Sequence, residues 1–337
     1  MYIQDIDLKL KDWGFAQRKN LPYELKLLLS ERRIREWYEY YQGDVYVSFS
    51  GGLDSAVLLH MVRSFYPDVE AVFSDTGLEY PELKQFVKKF DNVTIIKPKK
   101  SFREVLKEYG YPVVSKETAA KVRKLRHGNL SDRYRNYLLN GDERGKLGML
   151  AKKWRILLDA PFETSEQCCD IMKKKPFKEY HKKSGKYPFL GITQDEGFQR
   201  KRQYEKTGCN VFEANAPKSQ PMGFWTKQDV LRYVVENDLE ICSVYGDIIC
   251  KNGVYRTTGV ERTGCMFCAF GCHLEKSPNR FQKMEITHPQ LYQYCMKPWH
   301  DGGLGMAEVL EYINVPYSNE EEILKCDGCK CKQLKFV

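Results

Sequence analysis

Residues 45–62, VYVSFSGGLDSAVLLHMV, pass from a strand through a glycine turn directly into a helix. Val45, Val47 and Phe49 are bulky, and the run around them is apolar enough to lie inside a sheet. Ser50-Gly51-Gly52 turns the chain sharply. A helix then opens at Asp54-Ser55, with Val57, Leu58, Met61 and Val62 spaced for one buried face. Two glycines allow backbone angles that other residues resist and let a ligand come close. The helix start directs unpaired N–H groups and a positive dipole end at the same point. Such a point binds an anion, and phosphate is the anion expected. The string lacks the G-K-[ST] ending of a Walker loop, which disfavours ordinary P-loop chemistry.

The elements around this unit alternate. Residues 1–43 read as helical, with Leu25, Leu28, Leu29, Ile34, Trp37 and Tyr41 near helical spacing and Gly43 as the stop. Val69–Phe73, Val93–Ile96, Phe189–Thr193 and residues 211–217 read as strands. Helices are expected from Pro81 and from the cap Thr226. Strand–helix alternation predicts an α/β fold with a doubly wound, mostly parallel sheet. Ligands of such sheets sit beyond the carboxyl ends of the strands. Both Ser50–Ser55 and Asp75-Thr76-Gly77 are expected there, with Asp75 a candidate for Mg²⁺ or a ribose hydroxyl, or a plain turn aspartate. Arg200, Lys201 and Arg202 are candidates to hold phosphate or sulfate. The expected organisation is an N-terminal helical element (1–43), a nucleotide-binding α/β domain (44–240) with a basic insertion (98–160), and a cysteine-rich region (241–337).

Lys and Arg number 54 against 45 Asp and Glu, a net charge of +9 over 337 residues, which suits an anionic partner. In the basic stretch 98–160, aromatics interleave with arginines, as in Arg133-Tyr134-Arg135. The stretch reads as a nucleic-acid surface or as a solvated helical insertion. No apolar run approaches the ~20 residues of a membrane span, and the charged start MYIQDIDLKLKDW is no signal peptide. A soluble, cytoplasmic protein with no membrane partner is expected.

The 12 cysteines all lie beyond residue 167. In a cytosolic chain they read as metal ligands or catalysts before disulfides. The pair Cys168-Cys169 and the C-x-x-C of Cys265 and Cys268 together supply four sulfurs, enough for a [4Fe–4S] cluster or a tetrahedral zinc. An adjacent pair suits a cubane better than a zinc knuckle, and Cys272 is an alternative ligand. Cys326, Cys329 and Cys331 end the chain among lysines, which favour the thiolate.

Ser50, Gly51, Gly52, Asp54 and Ser55 match the PP-loop of the ATP pyrophosphatases, although Leu53 stands where many members carry lysine. SDTGLEYPE (74–82), CCDIMKKKPF (168–177), GITQDEGFQR (191–200), PMGFWTKQDV and GCMFC (264–268) extend the match. Together they resemble the phosphoadenosine phosphosulfate (PAPS) reductase family, over about residues 45–275. The resemblance implies an adenine nucleotide alpha hydrolase-like fold and a nucleotide held by arginines near Arg200 and Arg202. It also implies a [4Fe–4S] cluster on Cys168, Cys169, Cys265 and Cys268.

Three features depart from sulfonucleotide reductases. The S-G-G-x-D-S loop is intact, which suits ATP itself. The tail around Cys326 lacks the histidine of an E-C-G-hydrophobic-His motif, leaving Cys326 a weak candidate nucleophile. Gly191-Ile192-Thr193 replaces a Gly-x-Arg. The expectation is therefore an ATP- and Mg²⁺-using enzyme in which Asp54 helps the metal. It would adenylate a nucleic-acid substrate and then transfer sulfur to it, as in DNA phosphorothioation, with a donor such as a cysteine desulfurase. The alternatives are reduction of PAPS or its 3′-dephospho form (APS) to sulfite by a thiol reductant, and a non-catalytic nucleotide-sensing subunit.

Overall fold

The computed structural model describes residues 12–143, 145, 148–194, 198–212 and 216–319. The strands are β1 (Val45–Ser48), β2 (Glu70–Ser74), β3 (Val93–Ile96), β4 (Val113–Val114), β5 (Tyr187–Leu190), β6 (Asn210–Val211), β7 (Lys218–Ser219), β8 (Ile248–Lys251), β9 (Val254–Thr257) and β10 (Ala269–Phe270). The helices needed below are α1 (Asp12–Lys19), α2 (Tyr23–Tyr40), α3 (Leu53–Phe65) and α4 (Pro81–Val87).

Six strands form one sheet in the order β3-β2-β1-β5-β7-β6. β1 pairs in parallel with β2 on one side and β5 on the other. β2–β3 and β5–β7 are parallel as well, and the edge strand β6 runs antiparallel to β7. This is the mostly parallel α/β sheet read from the sequence. The winding leaves β1 towards β2 and β3, then resumes on its other side at β5. The crevice at the carboxyl ends of β1 and β5 is thus a topological switch point. Val45, Val47, Phe49, Phe73 and Phe189 of the sheet are buried with Val57, Leu58 and Val62 of α3.

Some boundaries differ from the sequence reading, each for a local reason. The strand expected at Phe189–Thr193 ends at Leu190, because Gly191 turns against the glycine loop. Residues 211–217, expected as one strand, give only the end of β6 before 213–215, which lie outside the described residues. Pro217 cannot donate to a ladder, and β7 starts after it.

On α2 the buried stripe is Tyr23, Lys26, Ser30, Ile34 and Trp37, while Leu25 and Leu28 are exposed. Two polar groups are therefore buried where leucines were expected, and both are satisfied. Lys26 Nζ donates to Asp229 Oδ2 at 2.6 Å. Ser30 Oγ donates to Pro221 O and accepts from Trp225 Nε1, both at 2.9 Å. Asp229 also closes a capping box with Thr226, the expected cap of the helix Lys227–Glu236.

The described residues divide into two compact units: those within Met1–Lys99 and Lys173–Thr263, and those within Lys100–Met172 and Gly264–Val337. The sheet and α2 belong to the first, and so do residues 241–263. The second joins most of the basic stretch to the cysteine motifs, because β4 pairs in parallel with β10. Its chain is also drawn together at Gly110, where a Cβ would lie 2.3 Å from the Glu163 carbonyl carbon. The neighbouring Tyr111 exchanges backbone hydrogen bonds with Glu163 and Ser165, just ahead of Cys168. Among the described residues no helix is long and apolar enough to cross a membrane.

Candidate nucleotide site and thiol region

The glycine turn after β1 is closed by hydroxyl groups. Ser50 N–H donates to Ser55 Oγ at 3.1 Å, and Gly52 N–H donates to Ser50 Oγ at 3.3 Å. The two serine hydroxyls lie 3.0 Å apart, and Ser55 Oγ donates to Gly52 O at 2.9 Å. Leu53 N–H, at the start of α3, donates to the Tyr245 hydroxyl at 3.2 Å. Tyr245 in turn shares a 2.8 Å hydrogen bond with Thr263 Oγ1. Burial pushes the Tyr245 phenol up to about 12, so it stays a neutral hydroxyl.

Both glycines are needed here for different reasons. Gly51 has φ +74, and a Cβ on it would stand 3.0 Å from Val87 Cγ2 of α4. Gly52 is extended, but a Cβ there would press on Thr263 Oγ1 at 3.1 Å and on the Tyr245 hydroxyl at 3.2 Å. Gly191, directly after β5, is tighter still. A Cβ on it would lie 2.9 Å from both Asp54 O and Ser55 Cα. The chain leaving β5 therefore touches the backbone of the turn at the switch point. Asp54 stands half-buried in the first turn of α3, where its charge favours the positive end of the helix.

The loop after β2 is set beside this turn by the β1–β2 pairing. Asp75 Oδ1 accepts from Lys84 Nζ at 2.6 Å and from Gly77 N–H at 3.2 Å. Burial would raise the Asp75 carboxyl, but Lys84, the Gly77 N–H and Lys97 together hold it below the usual carboxylate range. Thr76 is buried and donates through both its N–H and its hydroxyl to Glu79. Gly77 is exposed with φ +77. Ser74 Oγ, at the carboxyl end of β2, and Gln194 Nε2, past β5, are buried polar atoms with no partner. Such atoms are rare in a settled core, and these two lie where α/β sheets take ligands. Arg200 is on the helix Phe198–Thr207, but its side chain lies outside what is described. Arg202 is exposed on the same helix.

In the second unit, Cys168 and Cys272 are buried, and Cys169, Cys265 and Cys268 are half-buried. Burial, with Cys265 and Cys169 nearby, pushes the Cys268 thiol up to about 12. Burial and Glu275 do the same to Cys272. Arg280 donates to the Cys268 carbonyl at 2.9 Å and to Glu275 at 2.8 Å. Burial opposes its charge, but Glu275 holds it through a hydrogen bond and its own charge.

Thiolates suit a thiophilic metal or an iron–sulfur cluster, and these thiols are near enough to feel one another's charge. Even so, among the described residues no three His, Cys, Asp or Glu side chains are arranged to hold a metal ion. The donor chemistry fits a cluster, while the ligand geometry is not assembled. Cys326, Cys329 and Cys331 lie outside the described residues.

The basic stretch is partly neutralised by acidic residues just beyond its end. Arg123 pairs with Glu166 at 2.6 Å and Arg126 with Glu163 at 2.9 Å, and His127 Nε2 lies 2.6 Å from the same Glu163. Arg133, Tyr134, Arg135, Lys152 and Lys153 remain exposed.

Sequence reasoning named the loop serines and glycines that this geometry brings together. It missed Tyr245 as a partner of the loop, the close approach of Gly191, and the orphaned atoms of Ser74 and Gln194. Ser74, Gly191 and Gln194 fall inside the motifs quoted above and Tyr245 in none, but no motif shows which atoms each of them meets in the fold.

A hydroxyl-lined glycine turn at the switch point of a parallel sheet defines a PP-loop nucleotide-binding protein. The chain belongs to the phosphoadenosine phosphosulfate reductase domain family, whose model matches residues 44–270. An uncharacterized protein of Methanocaldococcus jannaschii is 26% identical over 268 residues, covering 77% of this chain and 49% of that protein. The phosphoadenosine 5′-phosphosulfate reductase of Serratia proteamaculans is 36% identical over 64 residues, 19% of this chain and 26% of that one. The chain thus spans about half or less of the length of these curated relatives. Among solved structures, the PAPS reductase of Candida auris in its phosphate complex is similar with a TM-score of 0.37 and 16% identity, covering 69% of this chain and 90% of that one.

Proposed function

We propose that this chain binds ATP at Ser50–Ser55 and opens it between the α and β phosphates, activating a substrate for sulfur chemistry. The observation that carries this reading is the intact loop, in which Ser50, Gly52 and Leu53 present their N–H groups to acceptor oxygens at the switch point. A substrate oxygen forms a bond to the α phosphorus, the bond to the bridging oxygen breaks, and pyrophosphate leaves. Where that oxygen belongs to a hydroxyl, its proton passes to solvent in the same step. The loop N–H groups and the positive end of α3 stabilise the charge that develops. Asp54 and Asp75 are the carboxylates available to a Mg²⁺ ion, which when bound would neutralise phosphate charge. For Asp75 this means giving up Lys84. A sulfur nucleophile then attacks the substrate atom that carried the adenylated oxygen, and AMP leaves with that oxygen; where the donor is a cysteine desulfurase persulfide, a thiol reductant supplies the two electrons that release the donor cysteine.

Cys168, Cys169, Cys265 and Cys268 are the proposed ligands of a [4Fe–4S] cluster, which would supply sulfur or electrons when present. No step above runs through it. Arg133, Arg135, Lys152 and Lys153 are the proposed contacts to a nucleic-acid substrate, and Arg202 a contact to the nucleotide.

A second reading, reduction of a phosphosulfate nucleotide to sulfite, is favoured by one observation: the stretch of 64 residues at 36% identity to a phosphoadenosine 5′-phosphosulfate reductase. One assay separates the two. Anaerobically purified protein is given ATP and Mg²⁺ in one arm, and phosphosulfate nucleotide with a thiol reductant in the other. Pyrophosphate from the first supports the proposed reaction. Sulfite from the second, with no pyrophosphate from the first, replaces it. A brown protein with a broad band near ~400 nm supports the cluster, and a colourless one with stoichiometric zinc removes it.

A further inference from the structure

Each of three N–H groups in the loop donates to a hydroxyl oxygen. Two of those hydroxyls, Ser50 and Ser55, belong to the loop itself. The third is Tyr245, far away in sequence, buried and held over the Gly52–Leu53 peptide. A backbone N–H has one proton to give. A phosphate oxygen arriving at Leu53 therefore has to replace the phenol oxygen there. We propose that Tyr245 is a placeholder: its hydroxyl holds the Leu53 N–H in the empty loop and yields it to a nucleotide phosphate, setting how tightly the loop binds. This rests on the PP-loop reading above.

The geometry provides for both states. In the structure Tyr245 accepts from Leu53 N–H and at the same time keeps its bond to Thr263 Oγ1. Once a phosphate takes the N–H, the bond to Thr263, at 2.8 Å, still satisfies the buried phenol. The exchange favours phosphate because a charged acceptor makes the stronger hydrogen bond. Tyr245 makes that gain smaller, since part of it is spent on replacing an existing bond. Tyr245 is accordingly a positioning residue, and its removal has an unusual sign.

The test is calorimetric titration of ATP, and of inorganic pyrophosphate alone, into the full chain and three variants, with melting curves of each. Tyr245→Phe leaves the Leu53 N–H without a partner only in the empty protein. The expected result is a lower melting temperature without ligand, ATP binding about fivefold tighter, and a larger ATP-induced rise in melting temperature. Thr263→Val leaves the displaced phenol stranded in the bound protein, so ATP binds about fivefold more weakly, and Thr263→Ser restores it.

A folded Tyr245→Phe that binds ATP unchanged overturns the proposal in favour of a structural contact. One that binds more weakly overturns it in favour of Tyr245 as a ligand contact. If Tyr245→Phe does not fold, the opposite behaviour of Thr263→Val and Thr263→Ser decides the matter. If neither the natural chain nor any variant binds ATP or pyrophosphate, the PP-loop reading itself falls.

Discussion

In the sheet unit, the N–H groups of Ser50, Gly52 and Leu53 each end on a hydroxyl oxygen, and hydroxyls exchange readily for phosphate oxygens. In the cysteine unit, Cys268 and Cys272 are held as protonated thiols by burial, close to Arg280 and Glu275. The first region is held in shape by hydroxyls of the chain itself. In the second, among the described residues, no three His, Cys, Asp or Glu side chains are arranged to hold a metal ion. A backbone loop can be fixed by its neighbours in the sheet, because its donors are part of the chain. Soft side-chain ligands repel as thiolates and settle into position only when a positive centre pays for their charge.

The most damaging way to probe the organised half is through its support. Lys26→Met removes the cation of the buried pair with Asp229 and leaves the carboxylate only its capping bonds to Thr226. Urea unfolding should show a loss of about 3–5 kcal/mol. A loss under about 1 kcal/mol would mean that the pair does not brace the sheet unit.

Next comes the loop itself. In Gly191→Ala the new methyl meets the Asp54 carbonyl and Ser55 Cα. If the proposed reaction is right, pyrophosphate release should fall about 100-fold with the fold retained by circular dichroism. Unchanged turnover would show that the β5 end does not set the loop.

The cysteine half is tested by alkylation of metal-free protein. Thiols raised to about 12 carry little thiolate at pH 8, so Cys268 and Cys272 should react at least about a hundredfold more slowly than exposed Cys250. Their rates should rise roughly tenfold per pH unit. Mass spectrometry after timed quenching would report each site, and equal rates would mean an open, activated region.

The smallest effect is expected at Asp75. A carboxyl held below its ordinary value stabilises the fold above that value and loses the contribution as pH falls through the lowered one. Lys84→Met should therefore lower stability by less than about 1 kcal/mol at pH 7 and make no difference in strong acid. A difference that persists in acid would assign Lys84 a role other than its charge.

The nucleotide half was legible because its signals are local. The change of period at Ser50-Gly51-Gly52 marks strand, turn and helix within one stretch, and Thr226 as a cap and Pro81 as a first helical residue mark helix starts locally. The register of α2 was not legible, because Lys26 and Ser30 are buried by partners near residues 221–229 that no window around them contains. The weave of the two units was hidden for a similar reason. It depends on β4 and β10, two-residue strands that pair across nearly half of the chain and carry no periodicity of their own. Tyr245, and the close approach of Gly191 to α3, were not legible because their importance lies in what they touch.

The order of the sheet has a consequence for how the protein is made. β1 lies between β2, which follows it closely, and β5, which is synthesised only after all of Lys100–Met172. At a ribosomal pace of roughly 5–20 residues per second, one edge of the newborn β1 stays unpaired for on the order of ten seconds. During that time the stretch Val45–Phe49 is an apolar strand with an open edge, the kind of surface that chaperones cover.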